Sequence, residues 1–337
     1  MTSKTEVLVI MGGPSFEHEI SLVSGRAIYK ALQNSRLYEP VEVVIDKKGS
    51  VLDPGFYKKG GFAFIALHGP FGEDGTIQGY LEALDLPYSG AGVLASAIAM
   101  DKEITRRVLM AENIPTVPTL FYKRKDFLND RERVLEEVED RFGYPCVVKT
   151  PVSGSSIGVS LIDNKSELEE GIKLALQFGD RFMIEEYMTL GYEDGSEVEC
   201  GVLGNDEPRA LSLCELVPHK RFYDYEAKYT PGLTDFFIPA RLPLGKIEEA
   251  QEISLRAYKA INCEGFARVD MYMKRDRFAV GEINTIPGFT PTSVFPMLAR
   301  EEGIGFTGLV EEIIRLGFES YEKRKRCREN FLKFPAL

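Results

Sequence analysis

One stretch, residues 265–288 (GFARVDMYMKRDRFAVGEINTIPG), limits the possible folds more than any other. Two apolar runs, 266–273 and 278–284, flank the charged Lys274-Arg275-Asp276-Arg277, which predicts a β-hairpin. Side chains alternate along a strand, so Arg268 and Asp270 leave one side of the first run, and Glu282 and Asn284 one side of the second. Folding about Asp276 sets Arg268 opposite Asn284 and Asp270 opposite Glu282, which gathers two carboxylates, an amide and a guanidinium on one face. That register needs an odd-length turn, since an even one sends the two pairs to opposite faces. Hard oxygen donors grouped in this way suit Mg²⁺, which takes its remaining ligands from phosphates and water. An adjacent arginine suits a phosphoryl group or an oxyanion. Taken alone, the pattern is more simply a solvated sheet face bearing ordinary charges.

The rest of the chain supplies context for that face. Its 337 residues are enough for two or three domains, and 44% hydrophobic with 28% charged residues is the balance of a soluble globular protein. Carboxylates outnumber Lys and Arg by 52 to 41, for a net charge of −11, and no basic stripe exists to hold a nucleic acid backbone. No apolar run reaches the length of a signal-peptide core or a membrane span, so the cytoplasm is the expected location. The five cysteines (146, 200, 214, 263 and 327) are widely spaced and contain no C-x-x-C, as for reduced thiols, and three histidines are too few for a His-rich metal centre.

Residues 6–11 form a predicted strand that ends at Gly12-Gly13, followed by Glu17-His18-Glu19 and a helical pattern to about Asn34. A strand, a glycine turn and a helix N-terminus favour anions, although the full G-x-G-x-x-G spacing of a dinucleotide site is missing. Strands at 41–45 and 62–67 alternate with helices, which predicts a parallel sheet. The second ends in HGPFGEDG at 68–75, at the sheet edge where such folds place ligands, although a turn capped by Asp74 or Thr76 has the same composition. One helix is expected over 95–113, then an extended linker from Ile114-Pro115. Strands at 146–149 and 159–162 enclose a Gly/Ser-rich loop resembling a phosphate lid, with Lys149 at its base. A lysine inside the apolar run Cys146-Val147-Val148 is hard to explain without an anionic partner. A helix at 165–178 precedes a strand at 181–187, and longer strands follow at 197–203 and 210–217, as in an antiparallel sheet. The aromatic, charged stretch 222–229 has no clean period and reads as a functional loop. Helices at 246–261 and 306–326 complete the pattern.

Gly12-Gly13 with EHEIS, HGPFGEDGTIQG, GSSIGVS, VECGVLGN, FYDYEAKY, GFARVD and GEINTIPGFT, in this order, resemble the D-alanine–D-alanine ligase family of the ATP-grasp fold over residues 7–299. The resemblance implies an α/β fold, α+β in its C-terminal part. Its three units would be an N-terminal parallel-sheet domain (1–95), a central ATP-grasp subdomain (96–187) and a C-terminal antiparallel domain (188–337). It also implies ATP-dependent joining of two D-alanines through an acyl phosphate, in the cytoplasm, for peptidoglycan synthesis. Two Mg²⁺ ions, with Mn²⁺ as a substitute, would be held by Asp270, Glu282 and Asn284. Lys102, Lys149 and Lys228 would meet the ATP phosphates, with Ser156 and Phe222 also at the nucleotide, Glu185, Tyr187 and Met188 around adenine, and Glu197 at the ribose. Arg268 and the Gly288 N–H would hold the oxyanion, and Glu17, Ser155 and Tyr229 would form a linked trio near the first D-alanine. His68 would sit at that substrate's carboxyl group, Tyr223 would be a further substrate contact, and Ser293 and Val294 would contact the second D-alanine. ATP and D-alanine are the implied small-molecule partners, with neither nucleic acid nor membrane, and a homodimer is the family expectation.

Ser153 and Ser196 stand where the family usually has an acidic and a basic residue, and 189–195 resembles a short insertion. Relatives that use D-serine or D-lactate as the second substrate, and a non-catalytic ATP-binding module on the same fold, are the competing readings. Tyr229 in the 222–229 loop favours an amine acceptor, and the complete Arg268, Asp270, Glu282 and Asn284 set favours catalysis.

Overall fold

A computed structural model describes residues 4–50, 54–57, 60–152, 154, 157–188, 195–219 and 232–333. Three sheets organise them. The first is parallel, in the order β2-β1-β3, from β1 (Thr5–Gly12), β2 (Tyr38–Ile45) and β3 (Phe62–Ile65). Along β1, Val7, Val9 and Met11 enter one apolar cluster while Leu8 and Ile10 enter another, so both faces are covered, as parallel sheets require. Pro40, which has no N–H to donate, lies on the edge strand β2 opposite Val7.

The second sheet has the order β4-β7-β5-β6, all antiparallel, from β4 (Thr119–Lys123), β5 (Cys146–Lys149), β6 (Ser160–Ile162) and β7 (Arg181–Glu186). Helices Arg131–Arg141 and Lys165–Ala175 contribute Val134, Val138, Leu168 and Ile172 to its core. The third sheet, order β10-β9-β8-β11-β12, is built from β8 (Gly195–Leu203), β9 (Arg209–Pro218), β10 (Thr234–Phe237), β11 (Phe266–Lys274) and β12 (Arg277–Asn284). Helix Leu244–Ala260 covers one of its faces through Ala250, Ile253 and Ala257. Helices Val294–Glu301 and Phe306–Leu332 share a core with the outer face of β1 and β3. No helix among the described residues is long and apolar enough to cross a membrane.

Several expectations change. The single helix over 95–113 is two helices, Val93–Met100 and Lys102–Ala111, broken at Asp101. Asp101 is extended, and its carboxylate accepts from the N–H groups of Glu103 and Ile104, so an N-cap outweighs helical continuity there. The linker after Ile114 lies along the edge of the third sheet, with Val280 N donating to Pro115 O and Val117 N donating to Val280 O, and then enters β4. Strands β4 and β10 are short edge strands, and the helix Val294–Glu301 spans only eight residues, so none of the three stands out from its neighbours in the sequence.

The hairpin β11–β12 reaches the expected pairing by a different route. Its turn is even: Lys274 pairs with Arg277 around the two residues Arg275 and Asp276, both at positive φ (49° and 61°) as in a type I′ turn. Left alone, that turn would put the two polar pairs on opposite faces. The register shifts after Asp270, and Gly281 is the extra residue on β12. Beyond this β-bulge Asp270 is opposite Glu282 and Arg268 opposite Asn284. A Cβ at Gly281 would lie 2.7 Å from Tyr272 Cε2 and 3.3 Å from the Asp270 carbonyl oxygen, so glycine is what lets the bulge close.

Candidate active site

The polar face of the hairpin is one wall of a cavity of about 760 Å³. Arg268, Glu282, Asn284 and Gly288 line it from the third sheet and the segment after it, Glu17 and His68 from the first, and Lys102 and Gly154 from between. Ser293 and Val294, at the start of helix Val294–Glu301, also line it.

Charges on this face are locked to one another. Arg268 donates from Nε and NH2 to the two Asp270 oxygens at 2.7 Å each, and its Nε is 3.1 Å from Glu199 Oε2 on β8. Asn284 Nδ2 donates to Asp270 Oδ2 at 2.8 Å. Lys102 Nζ is 3.0 Å from Glu282 Oε2, so the first turn of helix Lys102–Ala111 faces the metal-type donors. Two carboxylates and an amide fit a hard cation that completes its shell with phosphate oxygens and water. Among the described residues no group of three or more His, Cys, Asp or Glu side chains forms a self-sufficient metal cage.

Behind the cavity, Lys149 has the anionic partner its position demanded: Nζ is 2.7 Å from Glu185 Oε2, and burial pushes the ammonium's pKa down. Glu185 also pairs with Arg106, only 2% exposed, of helix Lys102–Ala111. Met188, Val117 and Ala279 form a small apolar cluster flanked by Tyr272, while the Tyr187 carbonyl accepts from Lys274 Nζ. Glu197 lies opposite Tyr272 across the β8–β11 ladder, on the same side of the molecule.

The 68–74 loop ties the first sheet to the end of β12. His68 Nδ1 donates to Ile286 O at 3.0 Å, so the neutral ring accepts at Nε2 from Ser24 Oγ at 2.9 Å, and burial lowers its pKa. Both ring nitrogens are thus held by the protein, so a substrate carboxyl group would have to replace one of these bonds. Glu73 accepts from Gly69 N (2.6 Å) and Ile286 N (3.2 Å). Burial, reinforced by the Glu17 carboxylate, pushes Glu73 up to about 8. Gly69 and Gly154 approach Glu17 so closely that a Cβ would fall 2.6 Å and 3.0 Å from its Oε2.

The structure therefore brings Glu17, His68, Lys102, Arg268, Glu282, Asn284, Gly288, Ser293 and Val294 to one cavity, with Asp270 directly behind Arg268 and Asn284. Lys149, Glu185, Tyr187, Met188 and Glu197 form a second group along the meeting of the two antiparallel sheets. Ser155, Ser156, Phe222, Tyr223, Lys228 and Tyr229 lie outside the described residues. Sequence reasoning missed Glu73, Arg106 and Glu199. Glu199 carried the same signal as Lys149, a charge inside an apolar strand, whereas Arg106 on an amphipathic helix carried none.

Two antiparallel sheets meeting beside a lysine- and carboxylate-lined cavity, with a parallel-sheet unit closing it, define an ATP-grasp protein. Family models described as D-ala D-ala ligase C-terminus and N-terminus match residues 108–315, and 6–60 with 52–91. The chain belongs to the D-alanine–D-alanine ligase family. It is 43% identical over 317 residues to the D-alanine–D-alanine ligase of Carboxydothermus hydrogenoformans, covering 94% of this chain and 99% of that one. It is 45% identical over 314 residues to the ligase of Desulforudis audaxviator, covering 92% and 98%. The D-alanine–D-alanine ligase structure from Coxiella burnetii superimposes with a TM-score of 0.85 at 28% identity, covering 97% of this chain and 98% of that one. The VanG D-Ala:D-Ser ligase of Enterococcus faecalis gives 0.81 at 29% identity, covering 94% and 100%. The ATP complex of the Bacillus anthracis D-alanine–D-alanine ligase gives 0.79 at 30%, covering 95% and 99%.

Proposed function

We propose that this chain joins two D-alanines into D-alanyl-D-alanine and splits ATP to ADP and phosphate. The observation that carries the reading is the face holding Arg268, Asp270, Glu282 and Asn284, with Lys102 against Glu282 and Lys149 buried behind. A carboxylate is a poor electrophile at neutral pH. Its oxygen therefore first attacks the γ-phosphorus of ATP, which forms an acyl phosphate and releases ADP. The neutral amine of the second D-alanine then attacks the acyl carbon, the bond to phosphate breaks, and the amine gives up its proton.

Each step puts negative charge in a confined space, and the residues answer it. Lys102 and Lys149 would share their charge with phosphate oxygens once ATP displaces part of their pairing with Glu282 and Glu185. Asp270, Glu282 and Asn284 would hold Mg²⁺, which when bound supplies further screening between the γ-phosphoryl group and the attacking carboxylate. Arg268, fixed by Asp270 and Glu199, points a guanidinium at the cavity for the tetrahedral oxyanion, and the Gly288 N–H is the second donor in this reading. A preorganised donor of this kind is worth on the order of 3 kcal/mol. Glu17 would take the ammonium of the first D-alanine, Ser293 and Val294 the acceptor, and the Val117–Met188–Ala279 cluster the adenine ring. The same reading divides the chain into 1–95, 96–187 and 188–337, one sheet to each.

Purified protein given ATP, Mg²⁺ and D-alanine should release phosphate and form the dipeptide; folded protein that does neither overturns the reading. Glu282→Gln should abolish turnover while nucleotide still binds. Replacing the acceptor by D-serine or D-lactate at two pH values fixes the second substrate.

A further inference from the structure

We propose that Arg106 is a positioning residue, which sets the distance between the phosphate-side lysines and the metal-side carboxylates without touching either substrate. The inference rests on the roles proposed above for Lys149, Asp270 and Glu282.

The guanidinium is buried and absent from the cavity lining. NH1 donates to the carbonyl oxygens of Val117 (3.1 Å) and Val280 (3.4 Å), and NH2 donates to Gly281 O (3.1 Å) and to Glu185. One rigid fork thus grips the linker that enters the second sheet, the β-bulge of the third, and the carboxylate that holds Lys149. The bulge is the feature that returns Glu282 to the face of Asp270. Lys102 lies one turn earlier on the same helix and meets Glu282 at 3.0 Å. Arg106 therefore fixes the helix to the bulge, and the bulge fixes Glu282 relative to both lysines. An ammonium could not copy this, because a guanidinium presents its donors in a planar fork and a lysine presents a point charge.

The test is Arg106→Met in the full chain, read by phosphate release over a Mg²⁺ titration and by Mn²⁺ binding in the presence of ADP, followed by electron paramagnetic resonance. Displacing reacting groups by about 1 Å costs on the order of 100-fold in kcat. We expect a loss of that size, a Mg²⁺ half-saturation and a Mn²⁺·ADP affinity each weakened about tenfold, and a KM for D-alanine within threefold of wild type. A variant that only melts earlier, with kcat, Mg²⁺ requirement and Mn²⁺ binding unchanged, overturns the proposal. If Arg106→Met does not fold, Arg106→Lys replaces it: a raised Mg²⁺ requirement supports the proposal and a wild-type value overturns it. A wild-type protein that releases no phosphate would refute the ligase reading alone, because the Mn²⁺ measurement still reports on Arg106.

Discussion

Gly281→Ala perturbs the site at a residue that does not line the cavity. The added Cβ would stand 2.7 Å from Tyr272 Cε2, where ordinary contact begins at 3.4 Å, and 3.3 Å from the Asp270 carbonyl oxygen. The ring or the strand must therefore yield by about 0.7 Å. Tyr272 is confined by Val117, Met188 and Ala279, so part of the shift passes into the β11–β12 ladder. Overpacking of this kind costs about 1–3 kcal/mol of stability. A displacement approaching 1 Å between Asp270 and Glu282 costs about 10-fold to 100-fold in kcat. Thermal melting gives the first quantity, and initial rates of phosphate release across a Mg²⁺ titration give the second. A variant that melts early but keeps wild-type kcat and Mg²⁺ half-saturation would refute the claim that the bulge sets the geometry. One that matches wild type in both measurements would refute the packing argument itself.

Glu73 gives a pH signature. Its carboxyl is raised from 4.5 to about 8 by burial and by Glu17, so between those values the folded chain holds a proton that the unfolded chain releases. Stability from this group is complete below the lower value and is lost as pH rises through the upper one. The melting temperature should accordingly fall more steeply from pH 6 to 9 in wild type than in Glu73→Gln, and parallel curves would contradict the assignment. Asp101→Ala should cost about 1 kcal/mol for the lost cap, read by urea unfolding. Because Asp101 also pairs with Arg181, Arg181→Ala should be partly non-additive with it in a double-mutant cycle, and full additivity would sink the coupling.

Part of the geometry of the candidate site was legible in the sequence. Alternation along two short strands is enough to put Arg268 with Asp270 and Glu282 with Asn284, because a pleated strand gives its side chains no other choice. Lys149 declared its need for a partner because an unpaired charge in an apolar strand is too costly to keep. The Asp101 break was written as an N-cap residue but hidden inside a continuous apolar period. The sequence by itself thus determined which groups face the same way and which charges require company. Only the tertiary structure decided how the two halves of the hairpin face are brought level, by an even turn corrected at Gly281, and which helix holds that correction in place. A bulge is one residue of slack resolved by contacts from elsewhere in the chain. Arg106 reaches it from 175 residues away in sequence, a distance over which local pattern carries no information.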